Sequence, residues 1–508
     1  MRAPALLFAA ALIASLLLSS ACGSQPQRSA AGCVGPTRPH AAAQAAAGIP
    51  AFTHPTRYPI AHASGDGYSP VGRAVALGDL NGDGAPDLAA VNPADHSSVV
   101  SVLLNRGGGS FDARHDYSTG RGANAVTLAD LDCDGTRDLV IANGGTNTVS
   151  VLLNRGNGRF KPQDAYRASS MPWAVAVADF DGDRYPDLAV ANLNGKPEQD
   201  GSYGSVSVLL NEGDGTFGEP TNYPTDGGYP EDLSALDIDG DGRLDLAVAN
   251  SEGELVYLLR NRGEGRFEPG RHYDSGTGTA ALAAGDLDGD GKVDLALVWT
   301  DQSDELEEEG VTLEPSYFKT LLSHGDGSFA RPRLVYKDGG YSEGANAPTV
   351  VDLDGDGHPD VVVPRWDQDR AIVSLFQNDG SGRFRDEARV DYLLGGGQSA
   401  DAIAVGDLNR DGVADLVNGN FESSTLSVFL GQRGRCTVQD VSGATLHVYE
   451  LTVAAATRAL ARGGCRVGTI TSRKSKYDAT TKGRVFSQRP KFGTVLPAGS
   501  KVDLVVAS

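Results

Sequence analysis

Helical heptads are missing from this chain of 508 residues, which argues against bundles and coiled coils as its main architecture. Two catalytic signatures are missing too. The nine histidines are scattered, at 40, 54, 62, 96, 115, 272, 324, 358 and 447, and form no HExxH pair. That removes the zinc-hydrolase pattern, in which two histidines one turn apart share a metal. No GxxxxGK[ST] phosphate loop occurs, so the matching nucleotide-binding pattern is absent as well. Positive charge is scarce: 44 Lys and Arg face 66 Asp and Glu, a formal net charge of −22. Such a balance excludes nucleic acid as a partner and favours bound cations or high solubility. Glycine, by contrast, is plentiful at 65 residues, and short alternating Val/Ala/Leu segments recur between glycine-rich turns. This composition predicts a mainly β fold of short strands.

The one long apolar run, ALLFAAALIASLLLSSAC (5–22), is too short and wrongly flanked for a membrane span, and Arg2 precedes it. It reads as a signal peptide over residues 1–22. Its end resembles a bacterial lipobox, with Ser19 where a leucine is usual, and makes Cys22 the expected lipidation site. Residues 23–50 are rich in Ala, Pro, Ser and Gly and read as a disordered tether. Export permits disulfides, and Cys436 and Cys465, at either end of one small segment, are the expected pair.

A nine-residue motif repeats seven times, at 79–87, 130–138, 179–187, 237–245, 286–294, 352–360 and 407–415, every 49 to 66 residues. An alternating strand precedes each copy, such as WAVAVA (173–178). A second strand, DLAVAN (187–192, 245–250), and a third, VSVLLN (100–105, 149–154, 206–211), follow. Then come a glycine turn ending in Phe and a segment spaced Phe-x5-Tyr, as in Phe111–Tyr117 and Phe160–Tyr166. Four strands per repeat, seven times, predict a seven-bladed β-propeller over 51–431. The seventh copy lacks the aromatic turn, but Phe52–Tyr58 at the front of the chain has the same spacing. The N-terminal strand is therefore expected to complete the last blade and leave no open edge.

In DxDxDGxxD the side chains at positions 1, 3 and 5 converge. Position 6 turns sharply, position 7 offers its carbonyl, and position 9 adds a carboxylate. Two unit charges ~4 Å apart repel by about 4 kcal/mol at an effective dielectric of ~20, so a shared cation is expected. Hard oxygen donors in this order suit Ca²⁺ better than Mg²⁺. The expected ligands are Asp79, Asn81, Asp83, Ala85 and Asp87 in loop one, and Asp130, Asp132, Asp134, Thr136 and Asp138 in loop two. Loop three offers Asp179, Asp181, Asp183, Tyr185 and Asp187, and loop four Asp237, Asp239, Asp241, Arg243 and Asp245. Loop five offers Asp286, Asp288, Asp290, Lys292 and Asp294, and loop six Asp352, Asp354, Asp356, His358 and Asp360. Loop seven offers Asp407, Asn409, Asp411, Val413 and Asp415. The loops hold 26 aspartates, and seven Ca²⁺ would bring the net charge from −22 to −8. A structural role is expected for these ions. Loop three departs most, with Arg184 in place of the turn glycine. Position 4 accepts Gly, Cys133 and Arg410, so it is expected to point to solvent and Cys133 is not a ligand. Its thiol is expected to be exposed, with or without a bond to Cys33.

On these loops and their GxGxF turns, residues 51–431 resemble the FG-GAP/VCBS repeat family, which includes the propeller of integrin α subunits. The resemblance implies structural calcium on one face and ligand contacts on the opposite one. Its members include adhesins, lectins and lyase accessory domains. On the opposite face, the residues six before the first Asp of each loop are expected to ring the channel mouth. These are Arg73, Asn124, Trp173, Glu231, Ala280, Asn346 and Asp401, and all but Ala280 are candidate ligand contacts. The acidic run DELEEE (304–309) reads as a solvated loop.

Residues 436–508 change character, with 11 Lys and Arg against four Asp and Glu. LTVAAATRALARGGC (451–465) reads as an amphipathic helix ended by Gly463 and Gly464, and RVGTITS and KVDLVVAS read as strands. Their order resembles a PASTA domain, a small α+β module found outside bacterial cells, some examples of which bind peptidoglycan fragments. The expected protein is thus an exported, lipid-anchored, non-enzymatic binding or adhesion protein of the cell envelope. Its partner would be a glycan, peptidoglycan or a protein, and it would meet the membrane through its lipid alone. The competing expectation is a polysaccharide-binding lectin or a polysaccharide lyase.

Overall fold

The computed structural model describes residues 50–53, 55–60, 74–91, 99–193, 204–225, 228–251, 255–274, 280–300, 316–337, 347–367, 370–384, 389–396, 402–420, 424–433 and 435–437. In the tail it describes 453, 456–457, 460, 465–473, 485–490, 495–498 and 500–507. The signal peptide, Cys22, the tether with Cys33, Arg73, DELEEE, Asn346 and Asp401 lie outside the described residues. Among those described, no helix is long and apolar enough to cross a membrane.

The described chain is mainly β. Seven four-stranded antiparallel sheets follow one another, each beginning just before a nine-residue loop. Sheet two is representative, with strands Ala123–Ala129, Asp138–Asn143, Thr148–Leu152 and Asp164–Arg167 in sequence order. Repeated four-stranded sheets of this kind are like the blades of a propeller. Burial falls outward. The second strand of sheet two is buried at every residue, whereas its fourth is mostly exposed. That gradient is why the second strand of sheet two reads LVIA between its terminal Asp138 and Asn143, while the fourth reads DAYR.

Sheet seven is assembled from both ends of the repeat region. Its first three strands are Ala402–Gly406, Asp415–Asn420 and Thr425–Phe429, and its fourth is the N-terminal Thr56–Pro59. Just before it, Ala51 and Phe52 pair with Gln432 and Gly431. Phe52 also fills an aromatic series. Tyr58 packs edge-on against Phe111, Tyr117 against Phe160, Tyr166 against Phe217, Tyr223 against Phe267, and Tyr273 against Phe329. Each pair joins one sheet to the next, and Tyr392 of sheet six meets Phe52 at a centroid distance of 5.0 Å. Such edge-to-face pairs contribute ~0.5–1.5 kcal/mol beyond their buried area.

The apolar core is divided accordingly. Seven clusters of buried side chains lie between consecutive sheets, for example Leu139 and Ile141 of sheet two with Val91 and Val102 of sheet one. The last joins sheet seven to sheet one, through Leu408, Val417 and Leu426 against Leu88 and Leu103.

In the tail, Arg466–Arg473 pairs in parallel with Lys501–Ala507, which pairs antiparallel with Val485–Arg489. Val453, Ala456, Thr457 and Leu460 are helical, and Ala456 and Leu460 pack with Val485, Val502 and Leu504. Cys465 is buried and disulfide-bonded, while the side chain of its expected partner Cys436 lies outside the described residues.

Candidate metal centres

Each loop is shaped by two left-handed residues. Position 4 has positive φ in all seven copies (Gly82, Cys133, Gly182, Gly240, Gly289, Gly355, Arg410), and so does position 6 (Gly84, Gly135, Arg184, Gly242, Gly291, Gly357, Gly412). The glycine preference at position 4 is thus a matter of backbone angle and not only of pointing to solvent. Cys133 is half-buried at φ 55°.

These angles turn backbone N–H groups inward. In loop one the Asp79 carboxylate accepts from Gly82 at 2.7 Å and Gly84 at 2.6 Å. The same pattern binds Asp237 to Gly240 and Gly242, and Asp352 to Gly355 and Gly357. The position-5 carboxylate accepts the N–H of position 7, as Asp134 does from Thr136 at 2.8 Å.

The position-9 carboxylate spans the sheet. Oδ2 of Asp138 accepts from Leu131 N at 2.8 Å and Oδ1 from Asn154 N at 2.7 Å. The equivalent pair of bonds forms at Asp87, Asp187, Asp245, Asp294, Asp360 and Asp415. Burial pushes all seven carboxyls up, against the pull of those N–H groups. The values reach about 6 for Asp87, Asp245 and Asp415, about 7 for Asp138 and Asp294, and about 8 for Asp187 and Asp360. Asp130, Asp132, Asp183, Asp288 and Asp354 are raised as well, by burial first and by neighbouring loop carboxylates.

Three carboxylates lie close enough to hold one ion in loops two to six: Asp130, Asp132 and Asp138; Asp179, Asp181 and Asp187; Asp237, Asp239 and Asp245; Asp286, Asp288 and Asp290; Asp352, Asp354 and Asp356. Within them, Oδ1 of Asp132 and of Asp239 is buried with no hydrogen-bond donor. A buried carboxylate oxygen without a donor is costly, and a cation removes that cost. The donor set is oxygen throughout, which fits a hard divalent ion. Basic residues touch some loops. Arg243 reaches Asp241, Arg260 reaches Asp239, Lys292 Nζ lies 2.6 Å from Asp290, and Arg410 Nη2 lies 2.8 Å from Asp83.

One recurring residue had no role in the sequence reading. The asparagine ending VSVLLN donates its Nδ2 twice. In sheet two, Asn154 reaches Arg137 O of its own loop and Leu80 O of loop one, both at 2.8 Å. Asn105, Asn211, Asn261 and Asn378 likewise bond the preceding loop at Leu408, Leu131, Phe180 and Leu287 O. The loops are therefore linked from sheet to sheet through buried bonds. Sheets five and seven have Ser323 and Gly431 at this place and no such amide. The signal was visible as an invariant ending of the third strand in copies one, two and three.

Of the expected rim residues, three are described with their side chains: Asn124, Trp173 and Glu231. All three sit at shifts of register between the first and second strands, in Ala123/Ala125, Pro172/Ala174 and Pro230/Asp232. Bulges of this kind re-aim a side chain. Asn124 is 8% exposed and donates to Pro172 O at 2.9 Å, which places it in the contact between sheets two and three rather than on an open rim. Trp173 and Glu231 are half-buried. The side chain of Ala280 lies outside the described residues.

The family model for an FG-GAP-like repeat matches residues 79–141, 130–190, 199–248, 237–297 and 365–417, more than half of the chain. The chain belongs to the FG-GAP-like repeat family. The model for a PASTA domain matches residues 447–508. No curated protein matches the chain. Among solved structures, "Crystal structure of BBS1N in complex with ARL6DN, soaked with lead" is similar at 12% identity and a TM-score of 0.46, covering 76% of this chain and 98% of that one. A second, the Tc holotoxin pore of Photorhabdus luminescens carrying the mutation TccC3-D651A, is 17% identical with a TM-score of 0.31. That match covers 65% of this chain, which spans only 16% of the toxin chain. FG-GAP-like repeats followed by a PASTA domain fit a binding or adhesion protein.

Proposed function

We propose that this chain is an exported, lipid-anchored binding protein of the bacterial cell envelope, without enzymatic activity. Its FG-GAP-like repeats would form a closed seven-bladed propeller stabilised by calcium. The α+β PASTA domain would engage peptidoglycan. The observation that carries this reading is the joining of the two matched units in one chain, behind an N-terminal run ending at Cys22.

Calcium, when bound, supplies the positive charge that lets the loop carboxylates stay ionised side by side. The carboxylates of loops two to six would hold it, each loop pinning the hairpin between the first and second strands of its sheet. The N–H groups turned inward by positions 4 and 6 orient those carboxylates, and the asparagine bonds carry the order of one loop to the next. On the opposite face, Trp173 and Glu231 would serve as recognition side chains for a glycan or protein, the half-buried indole as an apolar platform and the carboxylate as a polar contact. The surplus of Lys and Arg in the tail suits anionic wall polymers.

The test is retention of the full chain by purified peptidoglycan, with and without the PASTA domain, in calcium and in EGTA. Retention that needs the tail supports the reading. A chain that stays wholly in the supernatant overturns its wall-binding half.

A further inference from the structure

Loops one and seven differ from the other five in composition and in what touches them. Both carry asparagine at position 3, Asn81 and Asn409, and so have three aspartates instead of four. Loops two to six each bring three carboxylates within reach of one ion, whereas in loops one and seven the amide oxygen of Asn81 or Asn409 stands where the others have the third carboxylate.

These two loops flank the junction of sheet seven with sheet one, and there a guanidinium crosses from one to the other. Arg410, at position 4 of loop seven, donates from Nη2 to the Asp83 carboxylate Oδ1 at 2.8 Å and to the Asp83 carbonyl at 2.7 Å. It lies over the turn itself, since a Cβ on Gly84 would be 3.7 Å from the same nitrogen. Loop seven is met in turn by Arg433, whose Nη2 donates to Gly412 O at 3.0 Å. Arg433 follows Gln432, the partner of Ala51 in the closing strand. In loops four and five the basic partners Arg243, Arg260 and Lys292 belong to the same sheet as the loop they touch, and the three-carboxylate group persists beside them.

The charges match. Four carboxylates with a divalent ion leave a residual −2, and so do three carboxylates with one guanidinium. A guanidinium also offers planar, fixed donors suited to two oxygens of one residue. We infer that Arg410 is the resident cation of loop one. With Arg433 on loop seven, it closes the seam where the ends of the repeat region meet, so that full loading is five calcium ions, in loops two to six. The inference rests on the calcium reading above and restricts it: the seam does not depend on the metal.

Equilibrium dialysis of calcium alone against the full chain counts the sites. Wild type should bind five ions, and Arg410→Gly should bind six, because loop one regains an open site. Glycine stands at position 4 in five copies and accepts φ 60° without strain, so this variant keeps the loop geometry. Seven ions in wild type, or an unchanged five in the variant, would overturn the inference and leave the calcium reading intact. No bound ion at all would overturn the calcium reading itself. Hydrogen exchange of the wild-type chain is an independent measurement. EGTA should deprotect peptides covering loops two to six and leave 79–87 and 407–415 unchanged. Equal deprotection of all seven loops would sink the idea.

Discussion

Arg184 holds a φ of 76°, where its six sister positions have glycine. A Cβ in the left-handed region costs roughly 1–2 kcal/mol, and glycine's greater loss of freedom on folding returns part of that. Arg184→Gly is therefore expected to raise stability by about 1 kcal/mol, read as a higher melting temperature in saturating calcium. A lower melting temperature would mean that the arginine makes a contact worth more than its strain. Asn154 poses the opposite case. Truncation to Ala leaves Leu80 O and Arg137 O without this donor, one of the bonds being buried and the other partly so. Leu80 O keeps the Gly158 N–H at 2.7 Å, which leaves Arg137 O as the orphaned carbonyl, so Asn154→Ala should lose about 1–3 kcal/mol in a denaturant titration. A loss under half a kcal/mol would show that water replaces the amide.

At the scale of the loop and its hairpin, protons and a bound metal would compete for the position-9 carboxyls of loops two to six. Their folded values, about 6 to 8, lie above the ordinary aspartate value of 3.8. A carboxyl raised on folding stabilises below the unfolded value, and that contribution is lost as pH rises through the folded value. Metal binding needs the ionised form and so gains over the same range. The difference in melting temperature between calcium and EGTA should therefore widen from pH 5 to pH 8. A difference that is constant across that range would refute this coupling. Much of this element was legible in sequence, because the loop carboxylates fall at fixed spacing and the flanking first strands alternate. The left-handed angle at position 4 was not, since a slot shared by Gly, Cys133 and Arg410 looks like a solvent-facing one. Nor was the role of Asn154 and its sisters, for an asparagine between a strand and a glycine turn reads as a turn former. Asn124 misled for a third reason: the bulge turns a residue of the rim register into the next sheet.

For the whole molecule, the fold is a cycle of seven cores in which the last is completed from the first residues described. Leu408 meets Leu88, Phe52 meets Tyr392, and Tyr392 Oη also donates to Pro50 O at 2.7 Å. The pairing of Phe52 to Tyr58 with the seventh copy was readable from one spacing, while the inter-sheet aromatic partner was not, because contact order is invisible in a single repeat. This closure has a mechanical consequence. Ala51 lies opposite Gln432 in an antiparallel pair, so the chain leaves toward both termini from the same end of that ladder. A pull between a membrane-held N-terminus and a wall-held tail would load one rung at a time, first Ala51–Gln432, then Phe52–Gly431, and later Thr56–Val428 to Pro59–Thr425. That is unzipping geometry, which yields at lower force than shear because the bonds break in series. In a tweezers experiment with handles at the two termini, peeling of this segment should precede rupture of the seven-sheet body as a separate small, low-force step. Rupture in a single large event would rule it out. A protein strung this way across the envelope would act as a fuse, giving slack at its seam before its sheets come apart.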